Sequence, residues 1–334
     1  MAVGLQQAAD LDHEQRSGIL QNCGADLWSK RSGLSIAPTM TLSGWIILDK
    51  PVELGSTQAV GAVKRMLREA GEPKTKVGHG GTLDPLASGV LPVALGEATK
   101  LCGRMLDATK AYEFTIRFGE QTDTLDLEGK VTETSDVRPA PADIGAILPR
   151  FTGPIRQVPP AFSALKVDGA RAYDLARAGE DVELKAREVV IQSLDMVDTA
   201  DNEATLSAIV SKGTYIRSLA RDIARALGTV GHVTMLRRTR AGPFALDQAI
   251  SLDFLQDAAK ARQLTRTVLP LEAGLDDIPD LPVTPEQAKL LRHGQQLFGI
   301  PAKPGLHLAI DGETPVALVE VSADGLRVVR GFNL

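Results

Sequence analysis

The chain has 334 residues, of which 43% are hydrophobic and 24% are charged, and its formal net charge at pH 7 is −5. A chain of this length has room for two domains of ordinary size, and the composition is typical of a globular protein rather than a disordered or fibrous one. No apolar run approaches the roughly 18 residues of a membrane-spanning helix, and the N-terminus lacks the pattern of a signal peptide. We therefore expect a cytoplasmic protein with no membrane partner.

The distribution of charge and of metal-binding residue types narrows the functions further. Residues 203–245 include seven basic and two acidic residues, whereas residues 270–334 include nine acidic and five basic ones. The net negative charge argues weakly against a nucleic-acid partner, but a basic segment of this kind can face phosphates. The two cysteines, Cys23 and Cys102, are too few for a disulfide framework, and the five histidines have no zinc-site spacing. We predict no metal site.

The N-terminal region contains the first predicted elements. Residues 1–39 have no sustained apolar period, so we predict a disordered extension, and Met40 stands where translation would start if the extension is not native. An apolar run at residues 45–48 predicts a buried strand, and a helix follows that ends at Gly71. Ser56 or Thr57 is the expected N-cap of this helix.

The segment KVGHGGTLDPLASG, residues 76–89, is rich in glycine and contains Asp84 followed by Pro85. Glycine permits positive φ or a close approach of another backbone, and Pro85 biases Asp84 away from the helical region. The apolar neighbours indicate that the loop packs inward, where a carboxylate needs a basic partner. Two interpretations follow: Asp84 is a nucleophile or base, or it caps a backbone N–H in a structural turn.

Two later segments carry further candidate residues. Residues 110–118 alternate with period two, which predicts a strand with Tyr112 at the polar-tipped end of its apolar face. Residues 211–228 have helical apolar spacing beside a basic stripe, and Arg217 lies at the start of that helix, where a buried carboxylate would need a partner. Each also has a structural interpretation, as the end of a core stripe for Tyr112 and as a solvated face for the stripe.

The remaining segments predict strands at residues 187–199 and 204–210, and an acidic turn at residues 121–129. The basic run at residues 237–240 can contact phosphates, although the residues alone leave this open. After a Pro- and Asp-rich linker at residues 275–282, Thr284 begins a capped helix, and three short strands joined by Asp-Gly turns predict a small β-barrel.

Other motif classes are excluded. The glycine-rich loop lacks the Gly-Lys-Ser/Thr of a phosphate-binding loop, and no Gly-x-Ser-x-Gly of a serine hydrolase occurs.

Eight motifs in a fixed order resemble those of the bacterial TruB-type tRNA pseudouridine synthases. They are GWIILDKP (44–51), GHGGTLDPLASGVLP (78–92), GEATK (96–100), KAYEF (110–114), TDTLDLEG (122–129), PPAFSALKVDGARAY (159–173), SKGTYIRSLARD (211–222) and LRRTRAGPF (236–244). The resemblance covers residues 44–250. It implies an α+β fold with a catalytic domain at residues 40–272, built on a mixed, mainly antiparallel sheet flanked by helices. A PUA-like β-barrel at residues 278–334 and an RNA-gripping arm at about residues 159–187 complete the expected organisation.

The resemblance also implies an activity and residue roles. The activity is isomerisation of uridine 55 in the T-loop of tRNA to pseudouridine, by a monomer without cofactor or metal. Asp84 is then the catalytic aspartate, Tyr112 the ring that stacks on the uracil and takes part in proton removal, and Arg217 the partner of Asp84. The implied substrate-binding residues are Lys50, His79, Tyr215 and Leu236.

Two departures from the family pattern and two alternatives remain. The pattern has threonine where this chain has Gly80, which removes a hydroxyl near the site, and residues 52–55 differ from the usual glycine-threonine turn. A guide-RNA-dependent pseudouridine synthase is the nearest alternative, and a non-catalytic tRNA-binding or RNA-folding protein is the alternative of another class.

Overall fold

The computed structural model describes residues 42–163, 165–167, 170–171, 173 and 184–334. The predicted extension at residues 1–39 and most of the predicted arm lie outside the described residues. Within those residues, no helix combines the length and the apolar character needed to cross a membrane. The described residues form one compact unit.

The described residues form six α-helices and seventeen strands. The helices are α1 (Ser56–Glu69), α2 (Cys102–Asp107), α3 (Pro141–Ile147), α4 (Ile216–Ala226), α5 (Leu252–Lys260) and α6 (Pro285–Arg292). The strands are β1 (Gly44–Lys50), β2 (Val77–His79), β3 (Ala87–Leu95), β4 (Lys110–Phe118), β5 (Glu120–Thr122), β6 (Val131–Thr134), β7 (Gly153–Gln157), β8 (Lys166–Val167), β9 (Ala170–Arg171), β10 (Arg187–Ala200), β11 (Glu203–Val210), β12 (Gly231–Ala241), β13 (Phe244–Ala245), β14 (Asp280–Pro282), β15 (Gly305–Asp311), β16 (Thr314–Ser322) and β17 (Gly325–Gly331).

A nine-stranded mixed sheet is the centre of the fold. Seven of its strands lie in the order β1-β3-β12-β4-β11-β10-β7, while β2 pairs with β3 and β13 with β12. Only the contact between β3 and β12 is parallel. The predicted mixed, mainly antiparallel sheet is confirmed, and its order brings the strand that follows the Asp84 loop close to the strand that carries Tyr112.

Helix α1 begins at Ser56, one residue earlier than it would if Ser56 were the N-cap. Its N-cap is Gly55, whose backbone N–H donates to Oε1 of Gln58 at 2.8 Å. The prediction that Ser56 or Thr57 caps the helix is wrong, because the Ser56 hydroxyl is used elsewhere: it accepts from the Leu83 N–H at 2.8 Å and donates to the Leu83 carbonyl at 2.9 Å. Helix α1 therefore anchors the loop that carries Asp84.

Apolar clusters pack against the central sheet. Helix α4 packs Ile216, Leu219 and Ile223 against Phe114 and other apolar side chains of β4, β10 and β11, as its helical spacing predicts. A second cluster joins α1 and α5 to β1 and β3. Together these clusters fix the positions of the loops that follow the strands.

The C-terminal residues form a four-stranded sheet in the order β14-β15-β16-β17, with α6 packed on it. The predicted capping box is present, since Oγ1 of Thr284 accepts from the Gln287 N–H at 3.3 Å and Oε1 of Gln287 accepts from the Thr284 N–H at 2.9 Å. The described pairings give an open sheet, so the closed barrel is not confirmed.

Candidate active site

Asp84 lies in the loop between β2 and β3, at the wall of a cavity of about 300 Å³. Leu83 is buried, as expected for a loop that packs inward, but the side chain of Asp84 is 39% exposed and so is more open than the sequence predicted. Gly89, the third residue of β3, has φ +101°, and a Cβ there would lie 2.2 Å from the Arg238 carbonyl oxygen. The backbone of β12 can approach this closely only because residue 89 is glycine.

Arg217 holds two carboxylates at once. Its Nη2 lies 2.9 Å from Oδ2 of Asp84, and its Nη1 lies 3.3 Å from Oδ2 of Asp126. The side chains of Arg217 and Asp126 are 7% and 10% exposed, so this ion-paired group is mostly shielded from solvent. The predicted partnership of Asp84 with a helix-borne arginine is present in the structure.

The guanidinium of Arg217 is fixed by backbone groups as well. Nη1 donates to the Thr124 carbonyl at 2.8 Å and Nη2 donates to the Phe162 carbonyl at 3.0 Å. Because hydrogen bonds from a planar guanidinium are directional, these two bonds together with the two ion pairs leave the group little freedom to rotate. Arg217 therefore presents Asp84 in one orientation.

The second carboxylate, Asp126, was not predicted from the sequence as a partner of Arg217. Asp126 belongs to the segment interpreted as a turn, and it does form one: Oδ1 accepts from Thr124 Oγ1 at 2.6 Å and from the Glu128 N–H at 3.0 Å. Its other oxygen faces Arg217. The one signal in the sequence was the apolar residue Leu125 directly before Asp126, which indicates burial at this point. A turn prediction does not consider burial.

Aromatic and apolar side chains line the same cavity as Asp84. Tyr112 on β4 and Leu236 on β12 are half-buried and lie on neighbouring strands, where Leu236 pairs with Phe114. Tyr215 lies at the N-cap position of α4, and the side-chain amide of Gln157 bonds to its backbone N–H and carbonyl at 2.8 and 3.1 Å. The structure thus brings Asp84, Tyr112, Arg217, Tyr215 and Leu236 to one cavity.

Lys50 lies under the loop instead of lining this cavity. Its side chain is fully buried, and Nζ donates to the carbonyls of Pro51, Leu54 and Pro85 at 2.8, 2.7 and 3.3 Å. Burial lowers the pKa of Lys50 to about 8, the negative charge of Asp84 opposes the shift, and Arg238 adds to it. Lys50 therefore positions the residue after Asp84 and places a buried cation near its carboxylate.

His79 faces a separate cavity of about 370 Å³, beside Lys76, Thr99 and Cys102. Burial, followed by the positive charge of Arg238, lowers the pKa of the His79 imidazole. Its Nδ1 accepts a hydrogen bond of 3.4 Å from the Gly81 N–H, which ties the ring to the Asp84 loop. His79 is therefore adjacent to the loop but does not share the cavity of Asp84.

Two arginines of the basic run have partners within the protein. Arg237 forms an ion pair with Asp49, with Nη2 2.8 Å from Oδ2. Arg238 is fully buried and donates to the carbonyls of Val90, Thr82 and Gly81 at 2.7, 3.3 and 3.1 Å. Since Arg238 supports the Asp84 loop from inside the protein, it is not the surface phosphate contact that the sequence left open.

Lys110 is a further buried cation, and no pattern in the sequence predicted its burial. It lines the cavity of Asp84, and its Nζ donates to the carbonyls of Leu106 and Ala108 at 2.6 Å each, at the C-terminal end of α2. Burial lowers its pKa to about 8, and nearby Arg238 lowers it as well. Among the described residues, no group of three or more His, Cys, Asp or Glu is arranged to hold a metal ion.

Family models and relatives match nearly the whole described chain. Residues 64–216 match the TruB family pseudouridylate synthase N-terminal domain, and residues 217–276 match the tRNA pseudouridylate synthase B C-terminal domain. The chain is 64% identical over 298 residues to the tRNA pseudouridine synthase B of Novosphingobium aromaticivorans, covering 88% of this chain and 98% of that protein. It is 58% identical over 300 residues to the protein of the same name from Zymomonas mobilis, covering 90% and 99%.

The fold also has a solved counterpart. A chain in the crystal structure of a Cbf5-Nop10-Gar1 complex matches with a TM-score of 0.66 and 27% identity, covering 87% of this chain and 85% of that one. The two family models match consecutive segments of the chain, and the relatives match over almost their full length. Both findings place the chain in one family. It belongs to the TruB family of pseudouridylate synthases and is an RNA-modifying isomerase.

Proposed function

We propose that the enzyme isomerises uridine 55 in the T-loop of tRNA to pseudouridine, with Asp84 as the catalytic aspartate. The observation that carries the proposal is the Asp84 carboxylate at the wall of a cavity, held 2.9 Å from Arg217 and accompanied by Tyr112. The names of the relatives, tRNA pseudouridine synthase B, supply the substrate class.

The chemistry fits this site. Isomerisation breaks the bond between N1 of uracil and C1′ of ribose, turns the base and forms a bond from C5 to C1′. The C5 proton leaves to solvent, and N1 takes up a proton from solvent. Atoms and electrons therefore balance, and the net reaction needs no redox partner. A base inside a helix or a folded loop is inaccessible, so the nucleotide must leave its stack and enter the cavity.

Each residue has a proposed role at the bound nucleotide. Asp84 attacks C1′, adds to the base or removes a proton, and the geometry is compatible with all three. Tyr112 stacks on the uracil and takes part in removal of the C5 proton, while Leu236 packs against the base. Arg217 orients the carboxylate.

The remaining predicted residues act around the cavity. Tyr215 forms its wall, and Lys50 supports the loop from below. His79 contacts bases that leave the T-loop when the target nucleotide flips, in the neighbouring cavity where the structure has its ring.

The proposed organisation extends to the rest of the chain. We assign residues 40–272 to catalysis, with residues 159–187 as the arm that grips the T-loop, and residues 278–334 to a PUA-like RNA-binding domain. The protein acts as a monomer in the cytoplasm.

Release of tritium from tRNA labelled at uridine C5 tests the proposal. The wild-type protein, purified without any guide RNA, should release one tritium per tRNA, and a transcript with cytidine at position 55 should release none from that site. Asp84→Asn should abolish release while tRNA binding persists, because the variant keeps the size of the side chain and loses its charge. Asp257→Asn, on the exposed surface of α5, is the matched control and should keep the wild-type rate.

Three outcomes would contradict the proposal. Equal release by wild type and Asp84→Asn would remove Asp84 from the chemistry. Binding of tRNA without release would favour the non-catalytic alternative, and release only after addition of a guide RNA would favour the guided one.

A further inference from the structure

Arg187 lines the cavity of Asp84 from the first position of β10. Its guanidinium carbon lies 4.7 Å from the centre of the Tyr215 ring, and Nη2 donates to the Gly213 carbonyl. No motif contains Arg187 and it has no individual role at the bound nucleotide, although it is the last residue of the proposed RNA-gripping arm. Its position nevertheless puts a cation beside the ring that forms the cavity wall.

One hydrogen-bond donor of Arg187 is unused. Nε is buried and has no hydrogen-bond partner in the described structure. A buried N–H that has lost water without gaining an acceptor is unfavourable, so such a group is usually completed by a ligand or a water molecule. The unsatisfied donor shows that the hydrogen bonding of this guanidinium is incomplete within the described structure.

The ring of Tyr215 restrains the guanidinium of Arg187, which lies over its face. A cation over an aromatic ring is attracted by the negative charge of the ring face, and this attraction limits its movement. The hydrogen bond to Gly213 secures one side of the group. Because stacking and this bond preorganise Arg187, little side-chain entropy is lost when a ligand binds.

The charge of the cavity identifies the chemical class of the ligand. Among the described residues, its charged lining consists of the cations Lys110, Arg187, Arg217 and Arg238 and the anion Asp84. Arg217 is balanced by Asp84 and Asp126, and the donors of Arg238 are directed to backbone carbonyls. Lys110 has the Asp107 carboxylate nearby, which leaves Arg187 as the cation with no balancing anion among the described residues. Uracil and ribose are neutral, so the anionic part of an RNA strand that balances it is a phosphodiester.

We propose that Arg187 binds a phosphodiester oxygen of the RNA strand that enters the cavity, with the ring of Tyr215 holding its guanidinium in place. This inference rests on the proposed function, because it takes RNA as the substrate. Arg187 acts in substrate binding and does not touch the reacting carbon. Loss of the Arg187 side chain should therefore weaken tRNA binding far more than it lowers the reaction rate of the bound RNA.

Salt dependence of tRNA affinity separates a phosphate contact from a packing role. Each phosphate contact contributes about 0.7 to 0.9 to the slope of log K against log salt. Arg187→Met should reduce the slope of the wild-type protein by about this amount, measured by filter binding between about 50 and 200 mM KCl. The same variant should raise KM in the tritium-release assay by about tenfold and leave kcat within about threefold.

Two further variants complete the test. Arg117→Met is the matched control, because Arg117 is a half-exposed arginine of β4 paired with Glu203, and it should change neither slope nor KM. Arg187→Lys keeps the charge and loses the planar guanidinium. It should keep the wild-type slope of log K against log salt but bind tRNA more weakly. Circular dichroism establishes that Arg187→Met is folded, and Arg187→Gln replaces it if it is not.

An unchanged slope for a folded Arg187→Met or Arg187→Gln would overturn the proposal, whether or not affinity falls. Weaker affinity with an unchanged slope would mark a contact to a neutral base or a packing role. The slopes are measured on binding alone, so they remain informative even if the wild-type protein fails to release tritium, a result that would overturn the proposed function instead.

Discussion

At the scale of single residues, the main feature of the site is that Arg217 forms ion pairs with two carboxylates. Asp84 is the more exposed of the two and faces the cavity, whereas Asp126 is held inside by Thr124 and Glu128. A charged hydrogen bond in a partly dehydrated site contributes about 1.5–3 kcal/mol. Asp126 is therefore a positioning residue, which acts on Asp84 through the orientation of Arg217.

Substitution of Asp126 tests this arrangement. Asp126→Asn can keep the bond from Thr124 but places an amide N–H toward Arg217, so kcat should fall by about tenfold to a hundredfold, which corresponds to about 1.4–2.7 kcal/mol. Asp123→Asn is the control from the same turn, since Asp123 is exposed and bonds only to the backbone of Lys130 in this structure. Single-turnover tritium release measures the rate. A normal rate in a less stable Asp126→Asn would show that Asp126 only supports the turn.

At the scale of elements, helix α2 packs directly against the Asp84 loop. A Cβ added at Gly80 would lie 2.6 Å from Cβ of Met105 and 3.0 Å from its Cγ. The family pattern has threonine at this position, so the departure does more than remove a hydroxyl. In this chain, Met105 of α2 fills the space that a side chain at residue 80 would need, and the helix and the loop are matched to each other.

A double-mutant cycle tests the match between Gly80 and Met105. Gly80→Ala should destabilise the protein by about 1–3 kcal/mol and lower activity, because the clash involves an atom close to the helix backbone. In a Met105→Gly background the cost of Gly80→Ala should shrink, with a coupling of about 0.5–3 kcal/mol. Gly61→Ala on α1, where no atom lies within 4 Å of the added Cβ, should be neutral or stabilising. Urea unfolding measures the stability of Gly80→Ala, Met105→Gly, the double variant and Gly61→Ala. If the losses of the two single variants add in the double variant, the coupling is disproved.

At the scale of the whole molecule, the C-terminal sheet shares a core with the catalytic sheet. Trp45 of β1 packs against Phe244 with ring centroids 5.3 Å apart, and the same cluster contains Leu308, Leu318 and Phe332 from the C-terminal segment. The Trp45 indole also donates to the Leu271 carbonyl at 3.0 Å. Residues at the two ends of the described chain therefore stabilise one another, despite the linker between them.

Phe332 and Phe298 form a matched pair for testing this shared core. Phe332 is 1% exposed and Phe298 is 72% exposed. Phe332→Ala should lower the free energy of unfolding by about 3–5 kcal/mol in one cooperative transition, whereas Phe298→Ala should change it by less than about 0.5 kcal/mol. Urea unfolding followed by tryptophan fluorescence and circular dichroism makes the measurement. Two separate transitions, with the main one unchanged in Phe332→Ala, would contradict a common core.

Local patterns in the sequence were sufficient to find the elements that carry the site. Period-two alternation placed Tyr112 on β4, helical spacing placed Arg217 at the start of α4, and glycine and proline marked the loop of Asp84. These signals are local, because they arise from side-chain direction and backbone freedom within a few residues. The role of each predicted site residue came from the resemblance to a family, and these roles remain proposals.

Only the tertiary structure decided which of these elements meet. Asp126 reaches Arg217, Ser56 bonds to Leu83 instead of capping its helix, and Lys50 lies beneath the loop instead of lining the cavity. None of these contacts has a local signature, because each joins segments whose proximity is set by the strand order of the central sheet. The sequence by itself determined the candidate catalytic group, and the packing of distant elements determined its partners, its exposure and the cation at Arg187 that faces the same cavity.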